Sequence, residues 1–276
     1  MAFALGPKAM AAGYRLTAFD EIGSTNAEAL ERAATGDRGN HWLVTTLQTA
    51  GRGRRGRPWQ TSRGNLAATH LAVLDLPSAM AATLGFVAGL SLDEAIRRVV
   101  PGLRLATALD WTEGAGENTD RLRLKWPNDV LIDGRKLAGI LLEASSLPDG
   151  RVAVAAGIGV NVVAAPTGLP YPAVAIAELG AGASAEDLFA ALSDAWTGYA
   201  RVWDGGRGFA VIRREWLARA AGVGAEVAVS VGGEVLGGVF ETIDDEGRLV
   251  IRATDGLRRT ITAGEVHFGA VATVRS

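Results

Sequence analysis

Residues 130–145 read VLIDGRKLAGILLEAS, two apolar runs joined by Asp133-Gly134. An Asp-Gly pair supplies the positive φ values that a two-residue turn demands, so this stretch predicts a β-hairpin. A hairpin makes its strands antiparallel and excludes an all-parallel sheet. The rest of the chain adds helices. Thr25-x-x-Glu28 has capping-box spacing before an alanine-rich run ending at Gly36, Ser78 can cap a long apolar helix to about Val100, and segments 185–203 and 208–220 are helical, with Leu188, Leu192, Trp196 and Tyr199 on one face. Strands are expected at 42–49, 65–73, 121–126 and 152–163, where β-branched and apolar residues run in short blocks. The fold class is therefore α+β, a mixed β-sheet packed with helices.

From Gly224 the pattern changes to short alternating strands, EVAVSV, EVLGGVFETI, RLVIRA and RRTITA, separated by glycine turns. Such a meander predicts a small β-barrel appended to the larger body. The chain divides accordingly into a domain of residues 1–222 and a small one of 223–276. Residues 105–120 lack any clean period and read as a surface insertion.

Composition narrows the function. With 28 Lys plus Arg against 30 Asp plus Glu, the net charge of −2 offers no global attraction for nucleic acid or an anionic membrane. The absence of cysteine removes disulfides, thiolate metal sites and cysteine nucleophiles, and fits a reducing cytoplasm. The longest uncharged apolar stretch, Leu76 to Leu92, contains Pro77, Ser78 and Ser91 and falls short of the roughly 18 to 20 residues that span a bilayer. It is read as a core helix, with no membrane partner.

Against that neutral background, Gly51 to Arg57 places four arginines among three glycines. Glycine allows close backbone approach, and each guanidinium offers a planar fork to carboxylate or phosphate. A solvated basic loop and an RNA contact are the competing readings. Four phosphate contacts would make only a weak polyelectrolyte site, so a small anion fits better. Gln48 precedes the loop and Trp59 follows it.

Three further positions carry chemistry. Lys125-Trp126-Pro127-Asn128-Asp129 ends a strand, because Pro127 cannot donate to a ladder, and leaves Asn128 and Asp129 at a rim where their oxygens suit Mg²⁺ or form a plain Asx turn. Lys136, leading into the second hairpin arm, is either an exposed turn lysine or a cation for a phosphate; Gly139 leaves open backbone beside it. Asn161 ends the apolar run GIGVN, again at a rim. No Rossmann or Walker glycine motif is present.

Taken in order, GSTN, GRGRRGRPW, KWPNDV, GRKLAGILLE and GIGVNV followed by a small barrel resemble the biotin–protein ligases, from about residue 15 onward. The resemblance implies a class II synthetase-like catalytic domain with an SH3-like C-terminal barrel. It also implies a two-step reaction, in which biotin and ATP give biotinyl-5′-AMP and the biotin then passes to a lysine of a biotin carboxyl carrier protein. Carried over by motif, Ser24, Thr25, Asn26 and Gln48 would contact biotin, and Gly51, Arg52, Gly53, Arg54 and Trp59 would enclose the adenylate. Lys136 would neutralise the reacting carboxylate and phosphate, and Gly139 and Leu141 would line the pocket with backbone. Arg54, Arg55, Asn128, Asp129 and Asn161 are expected on the ATP side, with Asp129 the Mg²⁺ ligand. The catalytic residues are then Lys136, Arg52 and Asp129, and the rim position of Asp129, not the resemblance, makes it the candidate to receive the proton of the incoming lysine.

The motifs begin near residue 22, which leads to the expectation of a monofunctional enzyme without a DNA-binding head and without DNA as a partner. A homodimer is expected from the resemblance alone. Gly269 stands where the family pattern suggests an arginine near ATP. The rival readings are a lipoate or octanoate ligase of the same fold and a non-catalytic biotin- or RNA-binding module. GRGRRGR with KWPND opposes the first, and the presence of Lys136 and Asp129 opposes the second.

Overall fold

A computed structural model describes residues 2–100, 103 and 121–268. Seven strands form one mixed sheet: β1 (Arg15–Phe19), β2 (His41–Thr45), β3 (Leu66–Leu74), β4 (Leu122–Lys125), β5 (Asp129–Ile132), β6 (Arg135–Ser146) and β7 (Val152–Val160). Their spatial order is β1-β2-β3-β7-β6-β5-β4; β1 runs parallel to β2 and every other pair is antiparallel. The predicted hairpin is β5–β6. Asp133 and Gly134 at its turn have φ of 50° and 74°, the pair of positive values that the tight turn requires.

Both faces of this sheet are covered, which is why its central strands are apolar on both sides. Along β2, Trp42 and Val44 face the large core while Leu43 faces a smaller one with Leu71, Ala153 and Ala155. The smaller core is closed by helix α2 (Thr25–Ala34) through Ala29 and Ala33. Alanine on both surfaces lets this helix lie close to the sheet, and its first turn therefore reaches β3 and β7. On the other face pack α4 (Leu84–Val99) and α5 (Ala185–Trp203), with α6 (Phe209–Leu217) against both helices.

Several boundaries differ from the sequence reading for identifiable reasons. The cap of α2 is Ser24, whose hydroxyl accepts from Ala27 N, one residue earlier than the Thr25 box. Thr25 is drawn into the sheet-side network described below, and Glu28 pairs with Arg32. The expected 42–49 strand stops at Thr45, beyond which Gln48 makes a single bridge to Ile22. The long helix is broken into α3 (Ser78–Ala81) and α4, separated by Ala82 and Thr83. Ser78–Val99 is long and apolar enough to cross a membrane, but 72% of its most apolar stretch is buried inside the fold, as in a core helix. The short helix α1 (Pro7–Ala11) and strand β1 carry no clear periodic signal and were not expected.

Five strands, β8 (Glu226–Val231), β9 (Glu234–Ile243), β10 (Leu249–Ala253), β11 (Arg258–Ile261) and β12 (Glu265–Phe268), form the second sheet in the order β11-β10-β9-β8-β12. This is the small SH3-like unit. It is tied to the large sheet by Trp126, whose Nε1 donates to Gly247 O at 3.2 Å. The 105–120 insertion and Gly269 lie outside the described residues.

Candidate active site

A cavity of about 1040 Å³ opens at the rim where β5, β6 and β7 meet the head of α2, the arginine loop and the first residues of β12. It gathers nearly every residue singled out from the sequence. Ser24, Thr25, Asn26 and Gln48 line one end; Arg52, Gly53, Arg54, Arg55 and Trp59 come from the loop; Asn128, Asp129, Lys136, Gly139, Leu141 and Asn161 come from the sheet. Gly51 lies just behind this lining: a Cβ there would stand 2.4 Å from Trp59 O, and Trp59 N donates to Gly51 O at 2.9 Å.

The neutral end is a hydrogen-bonded chain. Gln48 Oε1 accepts from Thr25 N (2.9 Å) and Thr25 Oγ1 (3.1 Å), and Thr69 Oγ1 stands 2.7 Å from both Thr25 Oγ1 and Asn26 Oδ1. Asn26 Nδ2 donates to Leu141 O (3.1 Å) and Glu143 Oε2 (2.9 Å). Ser24, Thr25, Asn26 and Thr69 are all buried. Polar groups fixed in a dry place can discriminate sharply between donors and acceptors on a ligand, because a mismatch leaves a buried group unpaired.

The middle is floored by glycine. Gly139 and Gly159 are cross-strand partners on β6 and β7, and the indole of Trp59 lies over both. A Cβ at Gly159 would stand 2.5 Å from that ring and one at Gly139 3.1 Å. The open backbone expected at Gly139 thus holds an aromatic wall. The Lys136 ammonium stands 5.7 Å from the Trp59 ring and 5.3 Å from that of Tyr171.

The far end is cationic. Lys136 Nζ is 2.7 Å from Asp129 Oδ1. Arg54 donates to Asn128 Oδ1 (3.3 Å) and to Gly264 O (3.2 Å), and burial, with Arg55 close by, lowers its pKa. Arg57 grips Glu265 with two bonds of 3.1 Å, which raises the arginine and lowers the carboxyl. Lys125 also lines the cavity, and desolvation lowers its pKa. Cations lowered by burial are ones an arriving anion would restore.

Three of the loop arginines are held by acceptors from other parts of the fold. Arg52 pairs with Glu143, Arg54 with Asn128 and Gly264, and Arg57 with Glu265, so β6, the β4–β5 turn and the small domain each hold one. Asn128 is committed twice, since its Nδ2 donates to Ile140 O at 3.0 Å. Asn161 differs: Nδ2 donates to Val174 O at 3.2 Å, while the buried Oδ1 has no partner among the described residues. Its free atom is an acceptor, suited to a hydroxyl or a cation more than to a phosphate oxygen.

For a divalent cation the donor set is thin. No group of three His, Cys, Asp or Glu side chains stands together among the described residues. Asp129 offers one carboxylate, which fits Mg²⁺ only in its usual mode of one or two protein oxygens with substrate phosphates supplying the rest.

Sequence reasoning passed over Glu143, Thr69, Lys125 as a site residue, Tyr171, Glu265 and Asn65. Asn65 Oδ1 accepts from the backbone of Val162, Val163 and Ala164 and shapes the turn after Asn161. The available signals were weak: a lone hydroxyl at Thr69 inside an apolar strand, and the acid that ends GRKLAGILLE at Glu143.

The chain matches the Biotin/lipoate A/B protein ligase family over residues 22–162 and the Biotin protein ligase C terminal domain over residues 223–269. A biotin--[acetyl-CoA-carboxylase] ligase of Paracoccus denitrificans is 41% identical over 252 residues, covering 89% of this chain and 97% of the relative. One of Mycobacterium tuberculosis is 32% identical, covering 89% and 86%. The fold is shared with the structure of a biotin protein ligase from Aquifex aeolicus in complex with biotin and ATP, with a TM-score of 0.69, 24% identity and coverage of 92% of this chain and 98% of that one. By the span of the family match and the identity to these relatives, this protein belongs to the Biotin/lipoate A/B protein ligase family.

Proposed function

We propose that the protein is a biotin–protein ligase that uses ATP to convert biotin to biotinyl-5′-AMP and then passes biotin to a lysine of a biotin carboxyl carrier protein. One observation carries this reading: a single cavity joins a buried neutral hydrogen-bonding end to a cluster of arginine and lysine across an aromatic and glycine middle. Biotin is a neutral ureido ring on an apolar tail ending in a carboxylate, and the cavity has that sequence of chemistries.

In the first half-reaction the biotin carboxylate attacks the α-phosphate and pyrophosphate leaves. Two anions must meet, so the barrier falls only if cations are already in place where water is excluded. Arg52, Arg54 and Lys136 are assigned to the carboxylate and α-phosphate, and Arg55 to the phosphates beyond. Ser24, Thr25, Asn26 and Gln48 are assigned to the ureido ring, and Gly51, Gly53, Trp59, Gly139 and Leu141 to the walls. Asn128, Asp129 and Asn161 are assigned to the ATP side. Mg²⁺, held through Asp129, would supply further charge neutralisation to the triphosphate.

In the second half-reaction the acceptor lysine attacks the acyl carbon and AMP leaves. The attacking amine must shed a proton, and Asp129, beside Lys136, is the carboxylate assigned to take it. The domain division at 222/223, a cytoplasmic location, no membrane or DNA partner, and a homodimer complete the proposal.

Incubation with Mg-ATP and biotin, lipoate or octanoate, reading adenylate mass and pyrophosphate, tests it. Biotinyl-5′-AMP is expected. A lipoyl or octanoyl adenylate would transfer the assignment to the sister activity, and no adenylate with any acid would overturn the enzymatic reading.

A further inference from the structure

Glu143 has no part in the chemistry assigned above, yet it joins the two ends of the cavity. It lies on β6 two residues beyond Leu141, with its side chain 26% exposed. One oxygen, Oε2, meets Asn26 Nδ2 at 2.9 Å and Arg52 Nη2 at 3.2 Å. Asn26 Nδ2 also donates to Leu141 O. Both hydrogens of that carboxamide are therefore committed to β6.

The consequence is a fixed orientation. Asn26 Oδ1 is turned away from β6 toward Thr69 and toward Gly157, where a Cβ would stand 2.3 Å from it. An isolated asparagine amide can flip at little cost, because its two ends are nearly the same shape. Here a flip would break a charge-assisted bond and set the amide oxygen against a carboxylate. Gly157 leaves the room that the correct orientation needs.

We propose that Glu143 is a positioning residue for biotin recognition: its one carboxylate oxygen holds the Asn26 carboxamide with its acceptor toward the cavity and tethers Arg52 of the arginine loop beside it. The proposal rests on the biotin ligase reading. A ureido ring carries two N–H donors, so it is recognised by a presented acceptor and rejected by a presented NH₂. Asn26 is 5% exposed, so a wrong orientation would leave a buried polar group badly paired. The tether to Arg52 acts on the other end of the same ligand. It keeps a half-exposed guanidinium over the sheet before a carboxylate arrives, so Arg52 does not have to be ordered at the moment of binding.

Glu143→Ala removes both contacts, whereas Glu143→Gln keeps an oxygen that can accept from Asn26 but loses the charge that holds Arg52. Steady-state adenylation gives KM and kcat for biotin and for ATP in both variants, with thermal melting as the folding control. The expected result for Glu143→Ala is a rise of about tenfold or more in the KM for biotin, with kcat and the KM for ATP within about threefold of the parent. Glu143→Gln should recover most of the biotin KM. Hydrogen exchange of residues 51–57 in the ligand-free protein should be faster than the parent in Glu143→Gln, and this readout stands even if Glu143→Ala does not fold. An unchanged biotin KM in a folded Glu143→Ala protein, equal losses for biotin and ATP, or unchanged loop exchange in Glu143→Gln would each overturn the proposal. If the parent protein itself forms no biotinyl adenylate, the ligase reading fails instead, and the two failures are distinguished by that control.

Discussion

Lys136 Nζ and Asp129 Oδ1 stand 2.7 Å apart across the β5–β6 hairpin, so the ammonium assigned to the phosphate is already paired with the carboxylate assigned to the acceptor lysine. A developing negative charge on the substrate competes with Asp129 for Lys136, and departure of that charge gives Lys136 back. The two half-reactions therefore draw on one ion pair in turn. Lys136→Ala should lower kcat for adenylation by about 10²- to 10³-fold, as loss of one preorganised donor does elsewhere. Pyrophosphate release measures it, and a loss below about threefold would remove Lys136 from the reaction.

Asp129→Asn separates the halves. Transfer from preformed biotinyl-5′-AMP to the carrier lysine should slow by about 10²-fold, within the usual range for a positioned general base, and shift to higher pH. Transfer at the parental rate with an unaltered pH profile would exclude Asp129 as the proton acceptor.

Gly159→Ala should damage biotin binding with little loss of stability. The added Cβ would fall 2.5 Å from the Trp59 indole, which must move, while the ring lines the cavity and is not part of the buried core. A biotin KM raised by about tenfold, with a melting temperature within a few degrees of the parent, is expected. An unchanged KM would show that Trp59 does not line the biotin path.

The arginine loop should gain protection when its ligands bind. Its present holds are an ion pair at Arg52, two bonds from Arg54 and one bidentate pair at Arg57, with little apolar packing to add to them. Hydrogen exchange across residues 51–57 should slow with biotin and ATP together. Equal exchange with and without them would argue against closure.

His70 makes stability fall in mild acid. Its ring is wedged against Trp42, Trp196 and Tyr14, neither nitrogen has a partner among the described residues, and burial, aided by His41, lowers its pKa from 6.5 to about 3. Between those values the unfolded chain binds a proton that the folded one does not, so stability is full above 6.5 and declines as pH falls. From pH 7.5 to 5.5 the loss is about 1.4 kcal/mol. Asp37, held at about 2, titrates below this window. His70→Phe keeps an aromatic ring in the cluster and should abolish that decline, read as the change in urea midpoint between the two pH values.

The parts of the fold written in local chemistry were legible. Asp133-Gly134 specified a turn and therefore a hairpin, the apolar blocks at 65–73 and 152–163 became β3 and β7, and the glycine turns after 224 marked the second sheet. The motif residues were found because glycine beside arginine and proline before Asx are rare combinations with narrow uses. Thr25, read as part of a cap, instead donates to Gln48 because the sheet brings that acceptor beside it.

What the sequence by itself determined is the alphabet of the site: arginines on a glycine loop, a lysine after a tight turn, Asx at a strand end. Only the tertiary structure decided how those charges are shared. Glu143 and Glu265 lie 91 and 208 residues from the arginines they hold, Arg52 and Arg57. Nothing in the spacing of either acid announces that partnership. Pairing between charges is set by distance in space, and distance in space follows from strand order and domain contact, which no local stretch of chain contains.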